Sequence, residues 1–336
     1  MENKAHIYEI EVRKSDLKGK FADAKKLKDK REHQIIPNFK PRKQPIRVYK
    51  QFKLRLDKNG RNLAPGMVFP LYVDTDTTEG TANGLQIGKW YKSGVGEVWV
   101  RTDGRLYTIG NGTTGDKDNR IPWLALRSGW HTTNTPWGNQ RGTGITKDSQ
   151  VGNKNNYQNT RDNEVWALVE LSVDNDATEA AMEAGRQREK EDYEKAGKVY
   201  NRKEVNPVNA YLHEIGDNMY YLYKTNTNAS DDQTWYIADM MRIVKVLDDD
   251  SVDKINDEFY SNLSKKTGRN IDSDPWHYRN DSNDIPYWKM PRQNGVRYSS
   301  QDLSDMGYEP MSESFKRKLV NAISEDVKRK LKKLMK

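Results

Sequence analysis

The segment Gly129-Trp130-His131 comes closest to a catalytic or ligand-binding loop, because two threonines and an asparagine follow it directly. An imidazole acts as a general acid or base, or binds a ligand hydroxyl. A histidine beside a tryptophan is also often a structural residue with satisfied hydrogen bonds. His131 is therefore the first candidate catalytic residue, and a purely structural role is its alternative.

A second cluster of polar side chains lies at residues 220–228, where three tyrosines run into Lys224 and a Thr-Asn-Thr-Asn sequence. The alternation predicts a strand, and functional side chains often gather where a strand runs into a loop. Tyr223 is the second candidate catalytic residue.

Several kinds of chemistry have no basis in this sequence. The chain has no cysteine, which excludes thiolate nucleophiles, disulfides and cysteine metal sites. Its five histidines show no HxxxH or HExxH spacing, and no phosphate loop, dinucleotide-binding fingerprint or hydrolase elbow is present. We therefore predict no metal site and no cofactor.

The charge of the chain is concentrated at its two ends. Residues 1–63 carry a net +11 and residues 312–336 a net +6, whereas the whole chain is +8, which leaves −9 for the part between them. Basic ends beside an acidic body are typical of proteins that bind a polyanion, because lysines near phosphates release condensed counterions. The pattern therefore predicts that the basic ends bind nucleic acid or an acidic protein partner. The candidate nucleic-acid-binding residues are Lys25, Lys26, Lys28, Lys40, Arg42, Lys43, Lys328, Arg329, Lys330, Lys332 and Lys333.

The elements that must position these residues follow from periodicity. Strands are predicted at residues 6–12, 46–56, 164–173, 220–224, 235–237 and 241–246, with further short strands between 67 and 126. Helices are predicted at 15–33, 177–204, 251–266 and 312–336. Gly268 ends the third helix, and the Asp248-Asp249-Asp250 sequence begins it. Residues 37–43 contain prolines and read as an extended linker.

This pattern predicts an α+β fold, with a β-rich body of short, mostly antiparallel strands, a few helices, and basic helical or extended arms. We expect four parts: a basic N-terminal arm (1–63), a central α+β domain (64–268), an aromatic and Pro-rich extended segment (269–311), and a basic amphipathic C-terminal helix (312–336). That helix could bind nucleic acid, an acidic membrane surface or another protein, or dock on its own core.

The extended segment carries the candidate protein-contact residues, because exposed Trp and Tyr are common interface anchors. These residues are Trp276, Tyr278, Tyr287 and Trp288. The alternative is that their rings cover the protein's own core. The sequence contains no apolar run of the length a membrane span needs, and we expect a cytoplasmic protein. The oligomeric state does not follow from the sequence.

Several segments together resemble a domain of large polyvalent proteins of bacteriophages and conjugative elements, chiefly from gut bacteria. The similar segments are residues 70–74, 129–131, 163–170, 221–228 and 235–237 running into 244–247, in the same order over about residues 68–265. The resemblance implies an accessory module of a mobile element, with other virion or mobile-element proteins as partners.

The layout of that family also looks like the His, Tyr and Glu arrangement of ADP-ribosyltransferases. The likeness implies that His131 would bind the nicotinamide ribose of NAD and Tyr223 would stack on the nicotinamide. The family has Gly-Glu before the tryptophan where this chain has Gln233-Thr234, so the carboxylate is missing. We therefore expect a structural or binding component of a phage or mobile element, with a degenerate ADP-ribosyltransferase as the alternative.

Overall fold

The computed structural model describes residues 25–28, 33–71, 84–94, 98–100, 106–108, 124–125, 128–136, 162–200, 212, 214–224, 234–268, 279–280, 285–286, 295–309, 314, 317 and 321. These residues form an α+β fold around a nine-stranded sheet. The neighbours in this sheet are antiparallel except for one parallel pair at an edge. The predicted fold class is confirmed for the body of the protein.

The described strands and helices have the following bounds. The strands are β1 (Lys25–Lys28), β2 (Gln34–Ile35), β3 (Ile46–Lys53), β4 (Met67–Val68), β5 (Leu85–Gln86), β6 (Trp90–Lys92), β7 (Val98–Val100), β8 (Leu106–Thr108), β9 (Leu124–Ala125), β10 (Trp130–Thr133), β11 (Glu164–Leu171), β12 (Asn175–Asp176), β13 (Met219–Lys224), β14 (Thr234–Ala238), β15 (Met240–Leu247), β16 (Arg279–Asn280) and β17 (Ile285–Pro286). The helices are α1 (Thr178–Lys195), α2 (Asp249–Thr267) and α3 (Ser300–Asp305).

The strands of the main sheet follow the order β12-β13-β14-β10-β3-β11-β15-β6-β2. A four-stranded sheet (β1-β7-β8-β9) and two small hairpins complete the described strands. β3 lies near the middle of the main sheet and pairs with β11 over its whole length. The sequence-based boundary at residue 63 assigned β3 to the N-terminal arm, but Val48 and Phe52 are buried in the body. Burial of such side chains contributes about 1.5–3 kcal/mol each.

The main sheet curls back on itself at Asp239. This residue alone joins β14 to β15, although β10, β3 and β11 stand between those strands in the sheet. Its N–H donates to the carbonyl of Met219 at 3.0 Å, and its own carbonyl accepts from Ser93 N–H at 2.8 Å. The indole N–H of Trp130 donates to the Tyr91 carbonyl at 3.0 Å and joins β10 to β6. The sheet therefore encloses an interior.

Apolar clusters cover both faces of the sheet, one on the interior face and two on the opposite face. The interior face of β3 and β11 contributes Val48, Phe52, Val165, Ala167, Val169 and Leu171 to the largest cluster. The opposite face packs against the helices, with α2 over Tyr49 and Trp166 and α1 over Tyr221 and Trp235. Because side chains alternate along a strand, both faces of the central strands are buried. This explains why every residue of β11 is buried.

The ends of α2 follow the rules that its sequence suggested. The Asp248 carboxylate accepts from the Ser251 N–H at 2.7 Å, and Gly268 ends the helix at φ +65°. The predicted helix at 15–33 is wrong where it can be compared, because Lys25–Lys28 is a strand paired with Val98–Val100. Pairing with a distant strand outweighs the local helical pattern there.

The end of the predicted extended segment belongs to the body. Tyr298, Leu303 and Tyr308 are buried in the interior cluster, and α3 between them begins with a capping box of Ser299 and Asp302. This helix was not predicted from the sequence, although Ser-x-x-Asp is a recognisable helix start. Of the predicted C-terminal helix, Ser314, Arg317 and Asn321 are described, and all three are helical.

Candidate functional site

The basic residues of the predicted linker lie in a loop docked on the main sheet, here called the basic loop (residues 40–43). Just before it, the Ile36 N–H donates to the Trp90 carbonyl at 3.0 Å. The Phe39 ring contacts the Trp90 ring edge-on, with 5.1 Å between the ring centroids. The loop therefore starts at a defined place beside β6.

The other end of the basic loop is fixed by Asp174, just after β11. One carboxylate oxygen of Asp174 accepts from the backbone N–H groups of Arg42 at 2.8 Å and Lys43 at 2.9 Å. Burial alone would raise the pKa of Asp174, but these two N–H groups, the Ser172 side chain and the charge of Arg42 together keep the pKa below its ordinary value. The loop is thus hydrogen-bonded to Asp174 through its backbone.

The side chains of Lys40, Arg42 and Lys43 are exposed. Within the described ranges none of the three forms an ion pair. Two acidic groups are close enough to respond to them, since Arg42 lowers the pKa of Asp174 and Lys43 lowers that of Asp176. The loop therefore presents three cations to solvent over a short, ordered stretch.

For three of the remaining predicted contact residues the structure describes the backbone alone. The backbone of Lys25, Lys26 and Lys28 forms β1, which pairs with β7 in the four-stranded sheet. The other predicted residues lie outside the described residues, and they are Trp276, Tyr278, Tyr287, Trp288, Lys328, Arg329, Lys330, Lys332 and Lys333.

His131 lies in β10, which pairs with β14 on one side and with β3 on the other. It is partly buried and opposite Ile237 in β14, and its ring is edge-on to that of Trp235, with 6.4 Å between the centroids. Gly129 precedes the strand at φ +120°, where a Cβ atom would approach the Ile237 side chain to 2.6 Å. Only glycine permits β10 to begin so close to β14.

Tyr223 lies in β13, opposite Trp235, so that β14 separates it from His131. Two strand spacings and two residues of offset place the Cα atoms of Tyr223 and His131 about 12 Å apart. At the place where the transferase-like arrangement needs a carboxylate, β14 begins with Thr234. The transferase hypothesis therefore remains a prediction that this arrangement of strands does not favour.

Lys50 is a candidate functional residue that was not predicted from the sequence. It lies between Val48 and Phe52 along β3, and its ammonium donates to the His131 carbonyl at 3.0 Å. Its nitrogen is 5.8 Å from the Phe52 ring centroid, and burial lowers its pKa to about 8. The alternation of β3 contained the signal, because the same face carries apolar residues two positions before and after Lys50.

A second group that was not predicted is the Arg47–Glu170–Arg242 cluster. Glu170 in β11 stands opposite Arg47 in β3 and opposite Arg242 in β15. The three residues are far apart in sequence, so no local pattern could join them. Only the strand order shows that both arginines share one carboxylate.

No group of three or more His, Asp or Glu side chains in the described ranges is arranged as a metal site. None of the described helices has both the length and the apolar character needed to cross a bilayer. Comparison of the chain with protein-family models, with curated proteins and with solved structures finds no match.

Proposed function

We propose that this protein is an accessory component of a bacteriophage or mobile element and that it binds nucleic acid through its basic residues. The observation that carries the proposal is the docking of the basic loop by Asp174. Because Asp174 bonds the backbone N–H groups of Arg42 and Lys43, the loop is held in place while Lys40, Arg42 and Lys43 stay exposed to solvent. The end-loaded charge of the chain and the resemblance of residues 68–265 support the same conclusion.

Nucleic acid fits this loop better than an acidic protein surface does. Three cations lie within four residues, whose backbone spans at most about 10 Å. Duplex DNA carries about one negative charge per 1.7 Å of axis, so several phosphates lie within that length. Acidic protein surfaces rarely reach this charge density.

The test is a salt titration of binding to a labelled 20-bp duplex and to a single strand of the same length. We expect binding at 50 mM salt that weakens steeply towards 200 mM. The triple variant Lys40→Ala, Arg42→Ala, Lys43→Ala should have a shallower salt dependence, by up to about 0.9 in log–log slope for each lost phosphate contact.

The matched control removes the same charge from another part of the surface. Lys58, Lys265 and Lys266 are exposed and lie in a turn and at the end of α2. Their triple Ala variant should bind almost as well as the wild type. Equal losses in the two triple variants would show that net charge alone is responsible.

Two further outcomes would overturn the proposal. One is the absence of binding to either DNA at 50 mM salt. The other is displacement of the DNA by polyglutamate as efficiently as by unlabelled DNA, which would indicate an acidic protein partner. The element-borne role is tested separately, by mass spectrometry of phage particles or of conjugating cells that carry the gene.

A further inference from the structure

The Arg47–Glu170–Arg242 cluster spans three adjacent strands on the helix side of the sheet. The distance from Arg47 Nε to one Glu170 oxygen is 3.2 Å, and that from Arg242 Nε to the other is 3.1 Å. A terminal nitrogen of Arg242 also donates to Glu170. Both guanidinium groups are therefore oriented by a single carboxylate, and the cluster keeps one net positive charge.

The carboxylate and the guanidinium groups differ in exposure. The Glu170 side chain is 5% exposed, whereas those of Arg47 and Arg242 are 44% and 38% exposed. The acid is thus covered while its two partners face solvent. A buried acid beneath two partly exposed arginines orients both cations while their side chains keep contact with solvent.

Arg242 has donors left over. A guanidinium carries five N–H groups, and Arg242 uses Nε and one terminal nitrogen for Glu170. No acceptor among the described residues takes the N–H groups of its other terminal nitrogen. The Arg242 guanidinium carbon, Cζ, lies over the Trp90 ring at 5.1 Å from the ring centroid. The bonds to Glu170 and the cation–π contact with Trp90 together restrict the Arg242 side chain, which reduces the entropy lost when an anion binds.

Trp90 also connects the cluster to the basic loop. Phe39, one residue before the loop, contacts the same Trp90 ring that Arg242 covers. Arg47 is the second residue of β3 and lies only four residues after Lys43. The loop and the cluster therefore adjoin one another on the same part of the sheet.

We propose that Arg47 and Arg242, oriented by Glu170, form a phosphate-binding site that continues the surface of the basic loop. The ligand is the phosphate of a nucleic acid backbone, since a planar guanidinium matches two phosphate oxygens. This inference rests on the proposed function. In this proposal the basic loop attracts the nucleic acid by its positive charge, and the two oriented arginines bind one phosphate at a defined position.

The experiment uses substitutions that keep the positive charge of both residues and remove their planar guanidinium groups. Arg47→Lys with Arg242→Lys preserves the net charge, but lysine provides neither the two-pronged contact nor the stacking. We expect this double variant to bind the 20-bp duplex about tenfold more weakly, as for the loss of one charge-assisted bond. The matched control is Arg186→Lys in α1, where the arginine pairs with Glu183 at 2.7 Å and is 39% exposed. It should change the affinity by less than about twofold.

The result separates this inference from the proposed function. If the loop variant weakens binding and the double lysine variant does not, the phosphate site is wrong and the nucleic-acid function stands. If neither variant changes binding, both are wrong.

A second measurement covers the case in which the double variant is unstable. Pyrophosphate, compared with chloride at equal ionic strength, should raise the melting temperature of the wild type and that of Arg186→Lys. It should raise that of the single variant Arg242→Lys less. A wild type that gains nothing from pyrophosphate overturns the phosphate site, whatever the variants do.

Discussion

Asp174 binds Lys43 through that residue's backbone, with 2.9 Å between the Lys43 nitrogen and an Asp174 carboxylate oxygen. The ammonium group of Lys43 stays exposed. Docking and charge presentation are thus separate in this loop, which allows them to be tested by separate substitutions.

Replacement of Asp174 by alanine should release the basic loop without changing its charges. The substitution removes two hydrogen bonds to a charged acceptor, each of about 1.5–3 kcal/mol. We expect trypsin to cleave after Arg42 and Lys43 at least about tenfold faster in native conditions, because local opening becomes more frequent. Limited proteolysis with mass spectrometry measures this rate.

Asp176→Ala is the control for that experiment. Asp176 is two residues further along, and its carboxylate accepts hydrogen bonds from Thr178 and Tyr220 but none from the described residues of the loop, which it meets only through the charge of Lys43. Its cleavage pattern should match that of the wild type. Equal acceleration in both variants would contradict the assigned role of Asp174.

Replacement of Lys50 by methionine should stabilise the protein at neutral pH. The pKa of Lys50 falls from 10.5 to about 8 in the folded state because burial disfavours the ammonium form. Below pH 8 both states are protonated, and the folded state bears the full cost of the buried charge. Each tenfold loss of proton affinity corresponds to about 1.4 kcal/mol. After loss of the bond to His131, we expect a net gain of about 2 kcal/mol.

The pH dependence of this gain follows from the same lowered pKa. Between pH 8 and 10.5 the unfolded chain binds more protons than the folded one, so the stability of the wild type rises with pH. The advantage of Lys50→Met should therefore shrink across this window. Urea unfolding at pH 7 and pH 10 measures it, with Lys58→Met at an exposed turn as the control. A gain that does not change with pH would exclude the buried charge as its cause.

Replacement of Gly129 by alanine should be far more costly than the same change at another left-handed glycine. At Gly129 a new Cβ would come within 2.6 Å of the Ile237 side chain, whereas at Gly197 (φ +66°) nothing lies within 4 Å. We expect a loss on the order of 3 kcal/mol for Gly129→Ala and about 1 kcal/mol for Gly197→Ala. Chemical denaturation compares the two variants. Similar losses would mean that β10 and β14 are not in this close contact.

Tyr308→Phe tests whether residues 295–309 belong to the body. The Tyr308 hydroxyl donates to the Met67 carbonyl and accepts from the Asn62 amide at 3.1 Å. Its loss removes the donor to the Met67 carbonyl and one of the two acceptors of the Asn62 amide, and it should cost about 1–2 kcal/mol in the free energy of unfolding. Tyr193→Phe on the outer part of α1 is the matched control and should cost less than about 0.5 kcal/mol. Equal stability of both variants would indicate that the segment does not dock.

Local patterns predicted the strands and helices that have a strong period and a clear end. β11, β13 and α2 were located within a few residues, because alternation, β-branched residues and caps all agree there. β1 was mistaken for part of a helix, since its conformation depends on pairing with β7, about seventy residues later. Residue types near one another in sequence cannot show such pairing.

The candidate site was predictable only in part. The cations of the basic loop could be recognised from composition, but their docking depends on Asp174, which is 131 residues away from Lys43. The Arg47–Glu170–Arg242 cluster likewise depends on strand order. Residues that meet across a sheet are invisible to periodicity, and this is why the geometry of the site came from the structure.

The pairing of β3 with β11 also affects how the chain can fold during synthesis. Arg47 and Glu170 are 123 residues apart, and translation at roughly 5–20 residues per second needs about 6–25 s to cover that interval. Throughout this delay Val48 and Phe52 have left the ribosome without the strand that buries them. Nascent chains arrested before residue 164 should therefore recruit hydrophobic-binding chaperones, and chains arrested well beyond residue 247 should release them.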